Sequence, residues 1–192
     1  MSMFASGTWL NEPPKWTRDG DQLSVVTGGK TDFWQNTFYD FIHDNGHFFH
    51  VQSTGDFTAA VSFEGAYETL YDQAGLMLRV DAENWIKLGI EYSDGVCNFS
   101  LVCTIGGRSD WSVIPQQMLT GPQSVRITRV GDAAIAHFRQ ADGAWQMMRL
   151  CPFVATPDIQ VGPMTCSPQR AGFNVTFSGF EITPPISNPL HG

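Results

Sequence analysis

Short segments of alternating apolar and polar residues recur along this chain, and they constrain its fold more than any other feature. Gly, Asp and Asn residues separate these segments about every ten residues, whereas segments with a helical period are scarce. This pattern is typical of antiparallel strands in a sandwich or barrel. It predicts strands near 22–27, 47–52, 56–63, 74–81, 84–92, 95–105, 123–130, 133–140, 144–150, 158–165 and 173–183.

The chain length and aromatic content suit one β-sandwich domain. The chain has 192 residues, and domains with one antiparallel core commonly reach this size. Its 14 Phe and 6 Trp residues supply large side chains for a wide space between two sheets. We predict one domain over 1–192 with its core at about 9–182 and a flexible tail at 184–192, and we expect the aromatic segment 31–46 to pack against the sandwich as an ordered loop.

The charge and hydropathy of the chain argue against two classes of partner. The formal net charge is −8, and an acidic surface repels the phosphate backbone of nucleic acids. No stretch approaches the roughly 18 consecutive apolar residues that a membrane span needs. The first residues also lack the basic start and apolar run of a secretion signal. We therefore expect a cytoplasmic protein that binds neither nucleic acid nor membrane.

Cysteine and histidine spacing indicates neither disulfides nor a metal site. Cys97 and Cys103 lie on one predicted strand, about 20 Å apart, too far to bridge. No closely spaced cysteine pair suits zinc, so we expect four reduced thiols. A turn separates His43 from His47 and His50, which favours turn and surface histidines over metal ligands. Phosphate-binding and dinucleotide motifs are also lacking, so we predict no cofactor.

Polar and aromatic side chains collect on one face of two predicted strands. Alternation puts the apolar residues of 84–92 on one side of the strand and its polar residues on the other. Pairing with 74–81 through a short turn would bring the polar residues of both strands together. The residues that share this face are Gln73, Arg79, Trp85, Lys87 and Glu91.

This polar face has two interpretations at the level of sequence. It could be a solvated sheet face with cross-strand ion pairs, such as Arg79 with Glu91. It could instead be a groove for a polar ligand, because carbohydrate sites stack sugars on flat aromatic rings and orient them with a few polar groups. Trp85 would then be the stacking ring.

Two further segments offer aromatic and acidic residues for such a groove. The segment 31–41 contains Trp34, together with Asp32 and Tyr39. Trp111 lies in a predicted loop at 109–112, where it either caps the core or lines a pocket. Asp110 stands beside it.

Catalysis on a carbohydrate would require a second carboxylate. Glycoside hydrolysis uses two carboxyl groups about 5 to 9.5 Å apart. The chain lacks the E-x-D-x-x-E string by which glucanases of the sandwich type place theirs on one strand. Glu91 is the candidate acid or base, and Asp110 is the candidate second group. The absence of the paired-carboxylate string argues against an enzyme.

Four stretches of the sequence resemble the domain of unknown function 1349 family of the concanavalin A-like lectin/glucanase superfamily. They are FWQNTFYDFIHDNGHFF, YETLYDQAGLMLRVDAENWIKLGIEYSDG, SDWSVIP and VGPMTCSP with AGFNVTFSGFEI. The resemblance runs from about Trp9 to Ile182. It implies a jelly-roll sandwich and intracellular bacterial or fungal relatives, some of them labelled regulators of enolase. It implies no catalytic residues.

The first functional hypothesis is a protein that binds a sugar or a sugar-derived metabolite. An enzyme that uses Glu91 and Asp110 is one alternative, and a regulatory domain that docks another protein is the second. The predicted ligand-binding residues are Gln73, Arg79, Trp85, Lys87, Glu91, Trp111 and Trp34.

Overall fold

A computed structural model describes residues 2–116 and 121–191. This part of the chain contains one turn of 3₁₀ helix at Met3–Ala5 and sixteen strands. They are β1 (Thr8–Leu10), β2 (Lys15–Asp19), β3 (Gln22–Val26), β4 (Phe33–Gln35), β5 (Ile42–Asp44), β6 (His47–Thr54), β7 (Phe57–Gly65), β8 (Gln73–Arg79), β9 (Trp85–Ser93), β10 (Val96–Ile105), β11 (Arg108–Gln116), β12 (Gln123–Val130), β13 (Ala133–Arg139), β14 (Trp145–Pro152), β15 (Asp158–Cys166) and β16 (Asn174–Thr183).

Two seven-stranded antiparallel sheets contain most of these strands. Sheet A has the order β1-β6-β15-β8-β9-β10-β11, and sheet B has the order β14-β13-β12-β7-β16-β3-β2. Strands β4 and β5 pair only with each other, and we call the segment 33–44 that they form the cover hairpin. The predicted all-β, two-sheet antiparallel sandwich is confirmed.

The main core lies between the two sheets, where alternate residues of facing strands meet. Leu76 and Leu88 project from sheet A toward Val61, Ile127 and Phe177 of sheet B, and all five side chains are buried. Burial of such aliphatic and aromatic groups is the main stabilising contribution in a sandwich.

A second apolar cluster lies on the outer face of sheet A, beneath the cover hairpin. It consists of Phe33, Phe48, Met77, Trp85, Val102, Met164 and Cys166. Every residue of β8 is buried, as is every residue of β9 except Tyr92. Sheet A is therefore covered on both faces here, and the solvated-face interpretation is wrong. The expectation that 31–46 packs against the sandwich is confirmed.

All of the predicted strands are present, with ends that differ by about two residues at most. The sequence missed β1, β2, β4 and β5, and it placed 109–112 in a loop although this segment lies in β11. β11 is the edge strand of sheet A and is half exposed, so it lacks the apolar alternation on which the assignment depended. Within 2–116 and 121–191, no helix has the length and hydrophobicity of a membrane span.

His47 and His50 occupy more buried positions than the sequence suggested. His47 Nε2 accepts a hydrogen bond from the Gly28 N–H at 3.0 Å, and its Nδ1 donates to the Asn11 carbonyl at 2.7 Å. Burial lowers the pKa of His47, so this imidazole is a neutral structural group and not the expected surface residue. The four cysteines are free thiols, of which Cys97 is partly exposed. Among the described residues, no three His, Cys, Asp or Glu side chains converge to hold a metal ion.

Candidate functional site

A cavity of about 410 Å³ opens between the cover hairpin and sheet A. Its volume lies within the roughly 300–1,000 Å³ of small-molecule sites. The polar side chains of β8 and β9 form its floor, and aromatic rings form its walls. The lining residues are Lys30, Asp32, Trp34, Tyr39, Phe41, His43, Tyr71, Gln73, Lys87, Glu91, Val102, Trp111, Pro168 and Gln169.

The ammonium group of Lys87 is buried in the floor and is fully used by the protein. Its Nζ donates to Asp32 Oδ1 at 3.1 Å, to the Phe33 carbonyl at 2.8 Å and to Gln73 Oε1 at 2.6 Å. Burial alone would lower the pKa of Lys87, but the combined effect of Asp32, Cys166 and Glu91 outweighs it and raises that pKa. An ammonium has three N–H donors, so Lys87 has none left for a ligand. Its role is to join the cover hairpin to the sheet.

The carboxylate of Glu91 is buried, and a hydrogen bond of ordinary length from the described residues reaches only one of its two oxygens, Oε2. This Oε2 accepts a hydrogen bond from Ser100 Oγ at 2.7 Å. Ser100 Oγ in turn accepts a hydrogen bond from Trp111 Nε1 at 2.9 Å. Within the described residues, no donor lies at ordinary hydrogen-bond distance from Glu91 Oε1, although the Trp111 indole is close enough to lower the pKa of Glu91, and the residue is only 6% exposed. Burial raises the pKa of Glu91, and the charge of Lys87 and the bond from Ser100 offset only part of this effect.

Asp32 supplies the second carboxylate of the cavity. Its Oδ1 accepts hydrogen bonds from Lys87, from Gln73 Nε2 at 3.2 Å and from the Phe33 N–H at 2.8 Å. Its Oδ2 has no partner in the described part of the chain. The cavity therefore presents two free carboxylate oxygens, one from Asp32 and one from Glu91.

Five aromatic residues surround this floor, and we call them the aromatic wall: Trp34, Tyr39, Phe41, Tyr71 and Trp111. The rings of Tyr39 and Phe41 are stacked with centroids 5.2 Å apart, and Trp34 meets Tyr39 edge to face at 5.8 Å. The hydroxyl groups of Tyr39 and Tyr71 are 3.5 Å apart. The wall thus joins the cover hairpin to the loop before β8, and Trp111 of β11 lines the same cavity.

A buried ion pair fixes the loops that form the remaining rim. Asp72 is fully buried and accepts hydrogen bonds from Arg170 Nη2 at 2.6 Å and from Ser167 Oγ at 2.8 Å. The backbone N–H groups of Glu68 and Thr69 also donate to it. These bonds connect the loop that carries Tyr71 to the loop that carries Pro168 and Gln169. Burial would raise the pKa of Asp72, but the hydrogen bonds, above all from Arg170, lower it below its usual value.

Two of the seven predicted ligand residues lie outside the cavity. Arg79 forms a bidentate ion pair with Asp44 at 2.7 and 2.8 Å, and so it does not pair with Glu91. Trp85 is fully buried, with its ring centroid 6.0 Å from that of Phe33. The prediction that a sugar stacks on Trp85 is wrong, because the cover hairpin occupies that ring. Gln73, Lys87, Glu91, Trp34 and Trp111 do line the cavity.

Asp110 is not positioned to assist Glu91. Its neighbour Trp111 faces the cavity, and successive residues of a strand point to opposite faces. Asp110 instead forms an ion pair with Arg149 of β14. The carboxylate that shares the cavity with Glu91 is Asp32. Sequence reasoning missed Phe41 and Tyr71, for which no periodic signal exists because both lie outside regular strands.

The sequence matches the family described as a protein of unknown function (DUF1349) over residues 9–185. The chain belongs to this family. This DUF1349 chain is 41% identical over 188 residues to Regulation of enolase protein 1 of Saccharomyces cerevisiae, and the match covers 98% of this chain and 94% of that protein.

Solved structures with the same fold include one of high and one of low sequence identity to this DUF1349 chain. A functionally unknown protein from Saccharomyces cerevisiae has a TM-score of 0.91 at 40% identity, and the match covers 96% of this chain and 99% of that one. A GH43 protein from Bacillus licheniformis has a TM-score of 0.70 at 15% identity, and the match covers 95% of this chain and 39% of that one. At that identity, the second likeness concerns the fold alone.

Proposed function

We propose that this protein is a cytoplasmic binder of a sugar or a sugar-derived metabolite, and that its ligand occupies the cavity beneath the cover hairpin. The observation that supports this most is the free carboxylate oxygens of Asp32 and Glu91 beside the aromatic wall. Sugar hydroxyl groups donate hydrogen bonds to such oxygens, and the C–H faces of a sugar ring pack on aromatic rings. A cavity that held only an apolar molecule would leave both oxygens without a donor.

A thermal-shift screen against sugars, sugar acids and sugar phosphates tests this proposal, with calorimetry on each hit. Glu91→Gln should weaken binding about tenfold or more, because it removes the charge from one hydrogen bond to the ligand. Glu181→Gln is the matched control, since Glu181 is exposed and distant in the other sheet. If both variants bind every hit as the parent does, the ligand lies elsewhere.

Catalysis on a carbohydrate is the second candidate, and the pairing of Asp32 with Glu91 in one cavity favours it. Glycosidases use two carboxyl groups, one of them kept protonated by a raised pKa. Burial raises the pKa of Glu91, as the protonated carboxyl group of a glycosidase requires. The Glu91→Gln variant separates the two candidates, because a catalytic acid loses turnover while ligand binding remains.

A protein partner is the third candidate, favoured by the exposed apolar tip of the cover hairpin. Phe38 is 91% exposed and Ile42 is 61% exposed, which is unusual for residues of this type. The name of the yeast relative makes enolase the first partner to test. Measurable binding to purified enolase that is lost in Phe38→Ser and kept in Val130→Ser, at an exposed apolar residue of β12, would support this role. Absence of binding by the parent would exclude enolase.

A further inference from the structure

The charged groups of the cavity are unevenly available to a ligand. Within the described residues, all three donors of Lys87 bond to the protein, whereas one oxygen of Asp32 and one of Glu91 have no donor at ordinary hydrogen-bond distance. A ligand in contact with the floor therefore meets acceptors and no free cation. An anionic group placed there would face two carboxylates and one ammonium, a net negative charge when Glu91 is ionised, and Lys87 would have no N–H left to donate to it.

Other cationic side chains near the cavity do not offer a ligand a free positive charge in the cavity interior. Arg79 is paired with Asp44, and Arg170 is paired with Asp72. Lys30 lines only the rim and is exposed, so solvent screens its charge. His43 also lies at the cover hairpin, where its ring packs against Phe41 at 4.6 Å. The net charge of −8 adds a general attraction for cations.

The aromatic wall favours a cation as well. A positive group within about 6 Å of an aromatic face is attracted by the ring quadrupole, and the attraction is stronger where water is excluded. The Trp and Tyr rings of the wall line the same cavity as the carboxylates of Asp32 and Glu91. Carboxylates and aromatic faces together match a ligand that carries both a positive charge and hydrogen-bond donors.

We infer that the cavity selects a hydroxylated ligand that carries an ammonium group, of which an amino sugar is the simplest example, over sugar acids and sugar phosphates. This inference rests on the proposed function and specifies its ligand class. The ammonium group donates to the free oxygens of Asp32 and Glu91, and the ring packs on the aromatic wall. The neutral parent sugar lacks the charge and binds more weakly.

The charge of Glu91 gives this selection a pH dependence. The titratable groups that face Glu91 are Lys87, Asp32, Tyr71 and Cys166. Burial raises the pKa of Glu91, so this carboxylate loses its charge at a higher pH than an exposed glutamate does. Affinity for an ammonium ligand should therefore fall as the pH decreases toward the raised pKa of Glu91, which is at a higher pH than for an exposed glutamate. Affinity for the neutral parent sugar should change less.

Calorimetry with matched pairs of compounds tests the inference on the parent protein. The pairs are glucosamine with glucose, galactosamine with galactose, and mannosamine with mannose, and the anionic probes are gluconate and glucose 6-phosphate. We expect the amino sugar of at least one pair to bind about tenfold more tightly than its neutral parent, and both anions to bind more weakly than glucose. Glu91→Gln and Asp32→Asn should each reduce the preference within the pair, and Glu181→Gln should not.

The possible outcomes separate this inference from the proposed function. Equal affinity within every pair, or tighter binding of an anion, would overturn the ammonium selection and leave sugar binding intact. Absence of binding by all of these compounds and by the wider sugar panel would contradict both. Since the decisive comparison uses the unmodified protein, it does not depend on whether a variant folds.

Discussion

Lys87 is the residue on which the cover hairpin and the cavity floor depend most directly. Replacing it by Met removes the positive charge beside Asp32 and the donor to Gln73 Oε1 and to the Phe33 carbonyl. We expect Lys87→Met to lower the free energy of unfolding by about 3–5 kcal/mol, the usual cost of breaking a buried ion pair. Denaturant unfolding measures this loss. Lys15→Met, at an exposed lysine of β2, should change stability by less than about 0.5 kcal/mol, and a similar small value for Lys87 would contradict the assignment.

Gly89 and Gly75 lie opposite each other where β8 and β9 approach closely. A Cβ atom at Gly89 would lie 2.0 Å from the Ala74 carbonyl oxygen, a backbone atom that cannot move aside. We expect Gly89→Ala to cost more than about 2 kcal/mol of unfolding free energy. Gly28→Ala is the control, because its Cβ would make only ordinary contacts from 3.5 Å. Equal melting temperatures for the two variants would show that the strands can separate.

Strand alternation could predict part of the site, residue by residue, but not all of it. It placed Gln73, Lys87 and Glu91 on one face correctly, because a side-chain period of two follows from strand geometry alone. Strand alternation could not show that the cover hairpin lies over part of this face. There Arg79 forms an ion pair with Asp44, and Trp85 packs against Phe33. Which part of a sheet face is covered depends on contacts between residues distant in sequence.

At the scale of elements, the ion pair of Asp72 and Arg170 holds two rim loops together. We expect Arg170→Gln to cost about 2–3 kcal/mol of unfolding free energy at neutral pH, less than a fully buried pair because Ser167 still donates to Asp72. The pKa of Asp72 is lowered in the folded state, so its contribution is present above the unfolded value of about 4 and is lost as the pH falls through the folded value.

The gap in unfolding free energy between the parent and Arg170→Gln should therefore narrow below about pH 4. Chemical unfolding at several pH values measures it. Arg108→Gln serves as the control, because Arg108 is exposed at the start of β11. A gap that stays constant down to about pH 2 would show that Arg170 acts through packing and not through its charge.

The sequence predicted the strands of the sandwich far better than the cover hairpin. Strands such as β9 and β10 are long and carry an unbroken apolar face. β4 has only three residues, and its buried positions include a polar one, Gln35, whose Nε2 donates to the Ala82 carbonyl at 2.9 Å. A buried glutamine with tertiary partners interrupts the alternation that identifies a strand.

At the scale of the whole molecule, the main core joins both sheets without a covalent link. The four cysteines are free, and burial raises the pKa of Cys166 and of Cys97, which keeps these thiols protonated. We expect a reducing agent and a chelator to leave the melting temperature unchanged within about 2 °C. A drop of several degrees with the reductant would indicate a disulfide, and a drop with the chelator would indicate a structural metal.

The cover hairpin is fastened to sheet A by separate contacts at Lys87, at Arg79 and at Ser109, whose Oγ accepts from the Gln35 N–H. Local opening of a segment requires less free energy than global unfolding where the segment shares few contacts with the main core. If the hairpin opened locally while the two sheets stayed folded, it would give a ligand a route into and out of the cavity. Because the cover hairpin lies outside the main core, we expect substitutions at its cavity-facing positions to change which ligand binds without altering the folding of the two sheets.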